Sequence, residues 1–317
     1  MLRLCRLFVI CLLLACSTAF TFLLCVDALG SPSGEHWYTP IAPNDGAYYF
    51  PASAGGAKVH VVWVDMNSGQ WQLRPVFCRS ITHTSTIAAH LGASAAVNGG
   101  FFNLSTGQAA GYVVIDGVQA KDPSTHSTGS KSHKDPSAAY KEQIANRSEL
   151  RILTGCFGRV TVEIARHNDA LPAGCKLLHC LQAGPQLLPA VTTVEEAFVR
   201  RDPRGRYLDV ISSTSRTSRT AVGITAAGQV LLVAVDGPEQ GVNSSGLTIT
   251  ELSVVMKNLG CTSALNLDGG HSTTMSVKLN HTANGASAGK TAVLRVVSSS
   301  SPERKVKTQL VLMPVGR

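Results

Sequence analysis

The stretch Ala264-Leu-Asn-Leu-Asp268-Gly-Gly-His-Ser272-Thr-Thr274 decides both the fold and the candidate site of this 317-residue chain. Its first half is an apolar run typical of a buried strand, which ends on a carboxylate followed by two glycines and several hydroxyls. Such a strand end brings backbone N–H groups, a carboxylate and hydroxyls close to whatever lies above it. Taken alone, the segment is equally compatible with a tight Asp-Gly turn between two strands.

An earlier segment of similar build favours a functional interpretation: Ala95-Ala-Val-Asn98-Gly99-Gly100-Phe101-Phe102-Asn103. It is also a strand-like run that ends in a polar residue and a glycine pair. Two strand ends of this kind predict that two loops converge on one pocket.

The charge of the chain bounds its partners. The net charge is +8, but the lysines and arginines are scattered, and no basic stripe interleaved with aromatic residues indicates a nucleic-acid surface. We therefore expect no nucleic-acid partner. The excess positive charge is concentrated in residues 200–206 and 216–219. This charge suits an anionic substrate, and a solvated basic surface is the alternative.

The N-terminus has the pattern of a targeting segment. Arg3 and Arg6 precede an uncharged apolar run over 7–26, and small residues suitable for cleavage follow at 28–30. Residues 1–30 are predicted to be a signal peptide or, if retained, a signal anchor, which would be the only membrane contact. Either alternative places the rest of the chain outside the cytoplasm, secreted or in the lumen of the secretory pathway. Residues 31–56 are predicted to form an N-terminal arm.

Cysteine and asparagine patterns agree with export. Five cysteines follow the targeting segment, so at most two intramolecular disulfides can form: Cys78, Cys156, Cys175, Cys180 and Cys261. No paired CxxC motif is present, which argues against a cysteine-bound metal, and the sequence leaves any other metal requirement open. Four N-x-S/T sequons predict a glycoprotein, at Asn103, Asn146, Asn243 and Asn280.

Periodicity predicts many strands and few helices. Thr248 and Glu251 form a capping-box pattern, and the helix that they open has an apolar stripe and ends near Gly260. The other predicted elements are hairpins over 59–76 and 219–235, helices over 85–91 and 193–200, and a polar surface loop over 121–142. The fold class that follows is α+β, with mixed, largely antiparallel sheets and a few packed helices.

Six segments occur in one order along the chain: Asn98-Gly-Gly-Phe-Phe102, Gly111 with Asp116-Gly117, Gly184-Pro185, Arg219-Thr-Ala-Val-Gly223, Asp236-Gly237 and Asn266-Leu-Asp268-Gly-Gly-His-Ser-Thr273. This ordered set closely resembles the phosphodiester glycosidase family over roughly residues 57–314. The resemblance implies a single catalytic domain over 57–317. It also implies hydrolysis of a sugar-1-phosphodiester, of the N-acetylglucosamine-α-1-phospho-sugar type, without a cofactor. The sugar would be released and a phosphomonoester left.

Three residues are the predicted catalytic groups. Asp268 can stabilise an oxocarbenium-like state, attack the anomeric carbon or activate water, and Asp236 is the second candidate carboxylate. The leaving phosphate is a weak base, so one carboxylate with cationic help suffices. Arg219 carries a guanidinium suited to bidentate contact with phosphate.

The residues around them are predicted to bind the glycosyl-phosphate or phosphoglycan substrate. They offer amides, hydroxyls, backbone approach and an aromatic face: Asn98, Gly99, Gly100, Phe101, Gly184, Arg216, Asn266, Gly269, Gly270, His271, Ser272 and Thr273. His271 stands where the family pattern has a third glycine, and its side chain would either crowd the pocket or add a proton donor. A catalytically weak carbohydrate- or phosphoglycan-binding protein of the same fold is therefore the alternative function.

Overall fold

A computed structural model describes residues 39–41, 46–121, 138–155, 158–202, 204–238, 244–281 and 291–316. The predicted targeting segment, the first part of the predicted arm and Cys156 lie outside these residues. Among the described residues, no helix is long and apolar enough to cross a membrane.

The described chain forms nineteen strands and three α-helices. The strands are β1 (Thr39–Pro40), β2 (Ala47–Ala54), β3 (Ala57–Val64), β4 (Trp71–Thr82), β5 (Ala95–Asn98), β6 (Val113–Ile115), β7 (Val118–Lys121), β8 (Ser148–Thr154), β9 (Val160–Arg166), β10 (Lys176–Gln182), β11 (Gln186–Leu188), β12 (Val199–Arg201), β13 (Tyr207–Asp209), β14 (Arg219–Thr225), β15 (Val230–Val235), β16 (Cys261–Asn266), β17 (Thr274–His281), β18 (Thr291–Ser298) and β19 (Val306–Pro314). The helices are α1 (Thr84–Leu91), α2 (Ala138–Ala145) and α3 (Ile249–Asn258).

The strands assemble into three main sheets and one short ribbon. Sheet I has the order β1-β2-β3-β15-β14-β16-β11, sheet II β18-β17-β5-β19-β4 and sheet III β7-β6-β10-β8-β9, while β12 pairs only with β13. Every strand pairing among the described residues is antiparallel. The predicted α+β class with largely antiparallel sheets is confirmed.

Sheet I is the central layer because both of its faces are buried. Along β15, Leu232 belongs to the core shared with sheets II and III, whereas Val233 belongs to the core under α3. This explains the continuous apolar run of β15, since a strand covered on both sides has no solvent face. Helix α1 covers the other face of sheet II through a smaller cluster around Ala88 and Val311.

The connection through α3 positions the candidate site. Thr248 and Glu251 form the predicted capping box, and the apolar side of α3 packs on sheet I. Strand β14 lies between β15 and β16 and is antiparallel to both. The last residues of β15 and β16 and the first residue of β14 therefore lie at the same edge of sheet I.

Several predicted elements differ from the structure. The predicted hairpin over 59–76 is wrong, because β3 pairs with β2 and β15 in sheet I while β4 lies in sheet II. A 3-10 turn at Met66–Ser68, capped by Asp65, redirects the chain between the sheets. The second half of the predicted arm is strand β2, in which Tyr49 and Phe50 are buried.

Two helical predictions also change. The helix predicted over 193–200 is wrong, because the chain over 193–197 forms turns and then enters β12. Conversely, α2 occupies the end of the predicted polar loop, whose residues 122–137 lie outside the described part. The helix predicted at 85–91 is confirmed as α1.

Candidate active site

The ends of β5 and β16 meet at one point, through the side chain of Asn98. Its Nδ2 donates to the backbone oxygen of Asp268 across 2.6 Å, and its Oδ1 accepts from Thr220 Oγ1 at 2.7 Å and from the Thr274 N–H at 3.0 Å. Asn98 is fully buried. The predicted convergence of the two loops is thus built by Asn98, which acts as an internal tie rather than as a group open to a sugar.

The glycine pair after Asn98 is required by packing. A Cβ on Gly99 would lie 2.5 Å from Thr308 Oγ1, and one on Gly100 would lie 2.6 Å from the Gln182 backbone oxygen. The Gly99 oxygen in turn accepts from the Asp268 N–H at 3.0 Å. These glycines let neighbouring chain segments approach each other, which is a different role from the ligand approach that the sequence predicted.

Asp268 is the partly exposed carboxylate at the centre of this junction. Its Oδ1 accepts from the Gly269 N–H at 3.0 Å, and the Ser272 hydroxyl also bonds to it. Burial raises the pKa of Asp268 to about 6, and these two hydrogen bonds and the positive charge of Arg304 offset part of that rise. A carboxyl group with this pKa can exchange a proton near neutral pH, as a general base or acid requires.

The loop after Asp268 is held tightly from below. A Cβ on Gly269 would lie 3.0 Å from the Ser218 oxygen, and Gly270 has a φ of +57° and donates to that same oxygen at 2.8 Å. Ser272 is buried, whereas His271 is exposed. His271 therefore lies on the rim, so the substitution that motivated a binding-only function does not crowd the junction.

Two polar atoms of this segment have no partner among the described residues. Asn266 Oδ1 and Thr273 Oγ1 are both buried without a hydrogen bond, although Asn266 Nδ2 donates to the Gly184 oxygen at 2.9 Å. Unsatisfied buried polar atoms are costly and are commonly retained where a ligand or water completes them. Both residues were predicted to bind substrate.

Arg219 is located directly beneath Gly269, but its guanidinium is engaged by the protein. Nε donates to the Leu247 oxygen at 2.9 Å, and the terminal nitrogens donate to the oxygens of Ile211, Ser212 and Ser215 at 2.9, 2.7 and 2.9 Å. The residue is 2% exposed. This geometry makes Arg219 a positioning residue that fastens the 211–215 loop under the site, and it argues against the predicted grip on phosphate.

Arg216 lies on the outer side of α3. It pairs with Glu251, the capping residue of that helix, and donates to the Gly55 oxygen at 2.7 Å and to Ser245 Oγ at 3.0 Å. The structure therefore gives Arg216 a surface ion pair, and its predicted contact with substrate has no geometric support.

Asp236 is located at the same edge of sheet I, one strand beyond β14. Two strand spacings separate the ends of β15 and β16, which is about 10 Å. Asp236 is buried, and its Oδ2 lies 3.2 Å from His60 Nε2, while His60 Nδ1 lies 2.9 Å from the Tyr49 hydroxyl. The second candidate carboxylate is thus part of a buried Tyr-His-Asp chain that sequence patterns did not reveal.

Phe101 and Gly184 form the wall towards sheet III. The Phe101 and Phe198 rings lie 5.6 Å apart, and the Arg147 guanidinium stacks 3.7 Å above Phe198. Gly184 has a φ of +110°, and a Cβ there would lie 2.9 Å from Phe198. Phe101 remains half-buried, so one ring face can border the site.

Sequence reasoning missed Arg304, the cation whose charge acts on Asp268. It stands in the run Glu303-Arg304-Lys305, which reads as a solvated charged segment. The pairing of β19 with β5 brings this segment to the site, and no local pattern encodes that pairing.

Metal ligation and disulfide bonding both require suitable side chains that lie close together in the described residues. No group of three or more His, Cys, Asp or Glu side chains there could hold a metal ion. Cys78, Cys175 and Cys180 form no disulfide there, and Cys180 Sγ donates to Glu149 at 3.0 Å. Because Cys156 lies outside the described residues, disulfide formation stays a prediction.

The chain matches known proteins in sequence and in fold. A family model for phosphodiester glycosidases matches residues 91–313. The chain is 26% identical over 184 residues to N-acetylglucosamine-1-phosphodiester alpha-N-acetylglucosaminidase of Bos taurus, a match that covers 58% of this chain and 31% of the bovine protein. The chain thus matches about a third of that relative's length.

Solved structures of other proteins share the fold. The zebrafish N-acetylglucosamine-1-phosphodiester alpha-N-acetylglucosaminidase catalytic domain, auto-inhibited by its pro-peptide, superposes with a TM-score of 0.54 at 16% identity, covering 91% of this chain and 92% of that one. A hypothetical protein from Synechocystis gives a TM-score of 0.53 at 17% identity, covering 84% of this chain and 61% of the other. At these identities the similarity establishes the fold alone.

Proposed function

Because the chain belongs to the phosphodiester glycosidase family, we propose that it hydrolyses a sugar-1-phosphodiester, releasing the sugar and leaving a phosphomonoester. The observation that carries the proposal is the Asp268 carboxyl group. It is partly exposed at the junction of two strand ends and has a pKa of about 6. The name of the bovine relative supports an N-acetylglucosamine-α-1-phospho-sugar as the substrate.

Asp268 acts at the anomeric carbon in this proposal. The bond between that carbon and the phosphate oxygen breaks, and its electron pair leaves with the phosphate, which needs little protonation because it is a weak base. Positive charge then develops on the sugar ring, and the Asp268 carboxylate stabilises it. Water supplies the new hydroxyl group, and its proton passes to a base, for which the pKa of Asp268 is suited.

The surrounding residues hold Asp268 and orient the ligand. Ser272 and the Gly269 N–H bond to the carboxylate and fix its direction. Asn266 Oδ1 and Thr273 Oγ1 are as closed to solvent as Asn98 and have no partner among the described residues, so they suit an ordered water rather than direct contact with a sugar. The Phe101 ring supplies an apolar surface for a sugar face.

The decisive experiment compares turnover by the wild type and by Asp268→Asn on a panel of sugar-1-phosphodiesters that includes an N-acetylglucosamine-α-1-phospho-sugar. The wild type should release free sugar. The variant should lose about 10²-fold or more in kcat while substrate binding is largely kept, since only transition-state stabilisation is removed.

Asp65→Asn is the matched control, because Asp65 caps a turn at the far end of β3. It should turn over at the wild-type rate. Binding without sugar release by the wild type would favour the binding-only alternative. Full activity in Asp268→Asn would move the catalytic role to Asp236.

We also propose that the mature protein acts outside the cytoplasm, on the strength of the arginine-flanked apolar run at its N-terminus. N-terminal sequencing and protease protection in intact cells test this. A protease-accessible cytosolic protein that retains residues 1–28 would contradict it.

A further inference from the structure

A glycosyl-phosphodiesterase needs a cation for the phosphate, and the predicted arginines are engaged elsewhere. Arg219 donates to four backbone oxygens beneath the site, and Arg216 pairs with Glu251 on the far side of α3. A negatively charged phosphodiester placed beside the Asp268 carboxylate would meet repulsion unless another positive charge offsets it.

We propose that Arg304 is the residue that binds the substrate phosphate, which makes it the specificity determinant for phosphodiesters over neutral glycosides. The proposal rests on the proposed function of the site. Three features of the chain support it: its path before β19, the contacts on both sides of Arg304 and the lack of a protein partner for the Arg304 side chain.

The register of β19 leads the chain past the junction. Gln309 lies opposite Asn98, and Thr308 contacts both glycines that follow, since its oxygen accepts from the Gly99 N–H at 2.8 Å and its Oγ1 accepts from the Gly100 N–H at 3.0 Å. Residues before Thr308 therefore run beyond the end of β5, alongside the loop that begins there. Arg304 is four residues before Thr308.

The segment on the other side of Arg304 rests on the Asp268 loop. The Ser299 N–H donates to the Thr273 oxygen at 2.9 Å, and Ser300 Oγ donates to the His271 oxygen at 3.2 Å. Glu303, the residue next to Arg304, accepts from the Ser85 N–H at 3.1 Å and from the Ser85 hydroxyl. Contacts to both sides thus fix the backbone that carries Arg304 beside the candidate site.

The guanidinium of Arg304 is left available to a ligand. Its side chain is half-buried and has no hydrogen-bond or ion-pair partner among the described residues, yet it is close enough to Asp268 to lower the pKa of that carboxyl group. Arginine presents a planar fork that matches phosphate oxygens. The neighbouring Lys305 is exposed and has no such relationship with Asp268, which makes it a matched control.

The test uses the full-length protein with Arg304→Gln, Arg304→Lys and Lys305→Gln. Turnover is measured on a sugar-1-phosphodiester and on a neutral aryl glycoside of the same sugar. Arg304→Gln should lose about 10- to 100-fold in kcat/KM on the phosphodiester, the loss expected for a charge-assisted hydrogen bond, and little on the neutral glycoside. Arg304→Lys should fall between, and Lys305→Gln should match the wild type. Equal losses of Arg304→Gln on both substrates would overturn the proposal.

A binding measurement keeps this test separate from the proposed reaction. Stabilisation by inorganic phosphate is followed by thermal unfolding at matched ionic strength. The wild type and Lys305→Gln should be stabilised, and Arg304→Gln should not. If phosphate stabilises the wild type and both variants equally, or stabilises none of them, the assignment of Arg304 is wrong whatever the enzyme hydrolyses. If phosphate stabilises the proteins as expected but no phosphodiester is cleaved, the proposed function is wrong while the assignment of Arg304 stands.

A pH profile tests whether the Arg304 cation lies beside Asp268. The groups that lower the pKa of Asp268 are the Ser272 hydroxyl, the Gly269 N–H and the Arg304 cation. Removing Arg304 should therefore move the acid limb of activity to higher pH, because Asp268 then takes up its proton more readily. An unmoved acid limb in Arg304→Gln would count against its position beside Asp268.

Discussion

The side-chain amide of Asn98 donates to the backbone oxygen of Asp268 across 2.6 Å, joining the last residue of β5 in sheet II to the chain that leaves β16 in sheet I. The position of the candidate catalytic carboxylate is therefore set by a residue that itself is closed to solvent. Loss of this tie should be visible in stability as well as in turnover.

We expect Asn98→Ala to lower the free energy of unfolding by about 1–3 kcal/mol, because the buried Thr220 hydroxyl and Thr274 N–H lose their acceptor. Activity should fall with it. Asn67→Ala is the control, since exposed Asn67 also donates its side chain to one backbone oxygen, that of Ala227. Urea unfolding and turnover measure both variants. An inactive Asn98→Ala with unchanged stability would instead make Asn98 a ligand-contacting residue.

Arg219 allows a structural role to be distinguished from a role in binding phosphate. Arg219→Gln removes donors to four backbone oxygens around a residue that is 2% exposed. We expect a lower Tm together with loss of activity on phosphodiester and neutral glycoside alike. Circular dichroism melting and the two-substrate assay measure this. If the variant keeps its Tm and loses only phosphodiester activity, the prediction that Arg219 binds the phosphate would be supported instead.

The sequence predicts those parts of the fold that local patterns encode. The capping box at Thr248 and Glu251 and the hairpin formed by β14 and β15 are encoded locally, and the structure contains both. The failed hairpin over 59–76 involves sheet partners: the short turn between β3 and β4 predicts that they pair, although the two-sided burial of β3 places it inside sheet I.

The candidate site divides in the same way. The candidate role of Asp268 can be predicted from the sequence, because an apolar strand there ends in a carboxylate and two glycines. The roles proposed for Arg219 and Arg304 cannot be predicted in this way, because the partners of each side chain depend on contacts distant in sequence. An arginine beneath a strand end and an arginine in a charged loop look alike until the register of β14 and β19 is known.

The pKa of Asp268 gives a prediction about stability and pH. Its folded value of about 6 lies above the ordinary 3.8, so the folded state holds a proton that the unfolded state has released. The carboxyl group therefore costs stability progressively as pH rises through this interval, and fully at neutral pH. Asp268→Asn should be more stable than the wild type at neutral pH, by up to about 3 kcal/mol, and equal to it below the ordinary carboxyl pKa. Urea unfolding across pH measures the difference; a constant offset at all pH values would contradict it.

His271→Gly tests the departure from the family pattern. His271 is exposed on the 3-10 turn Gly270–Ser272, and its backbone oxygen, which accepts from Ser300 Oγ, is kept in the variant. We therefore expect Tm and kcat on the preferred phosphodiester to change little, with KM as the parameter most open to change, since a rim side chain can touch the group beyond the phosphate. Kinetics on phosphodiesters that differ in sugar or in that outer group separate these effects. A change in preference for the sugar itself would place His271 against the sugar ring. Unchanged preference for both would make the histidine incidental to specificity.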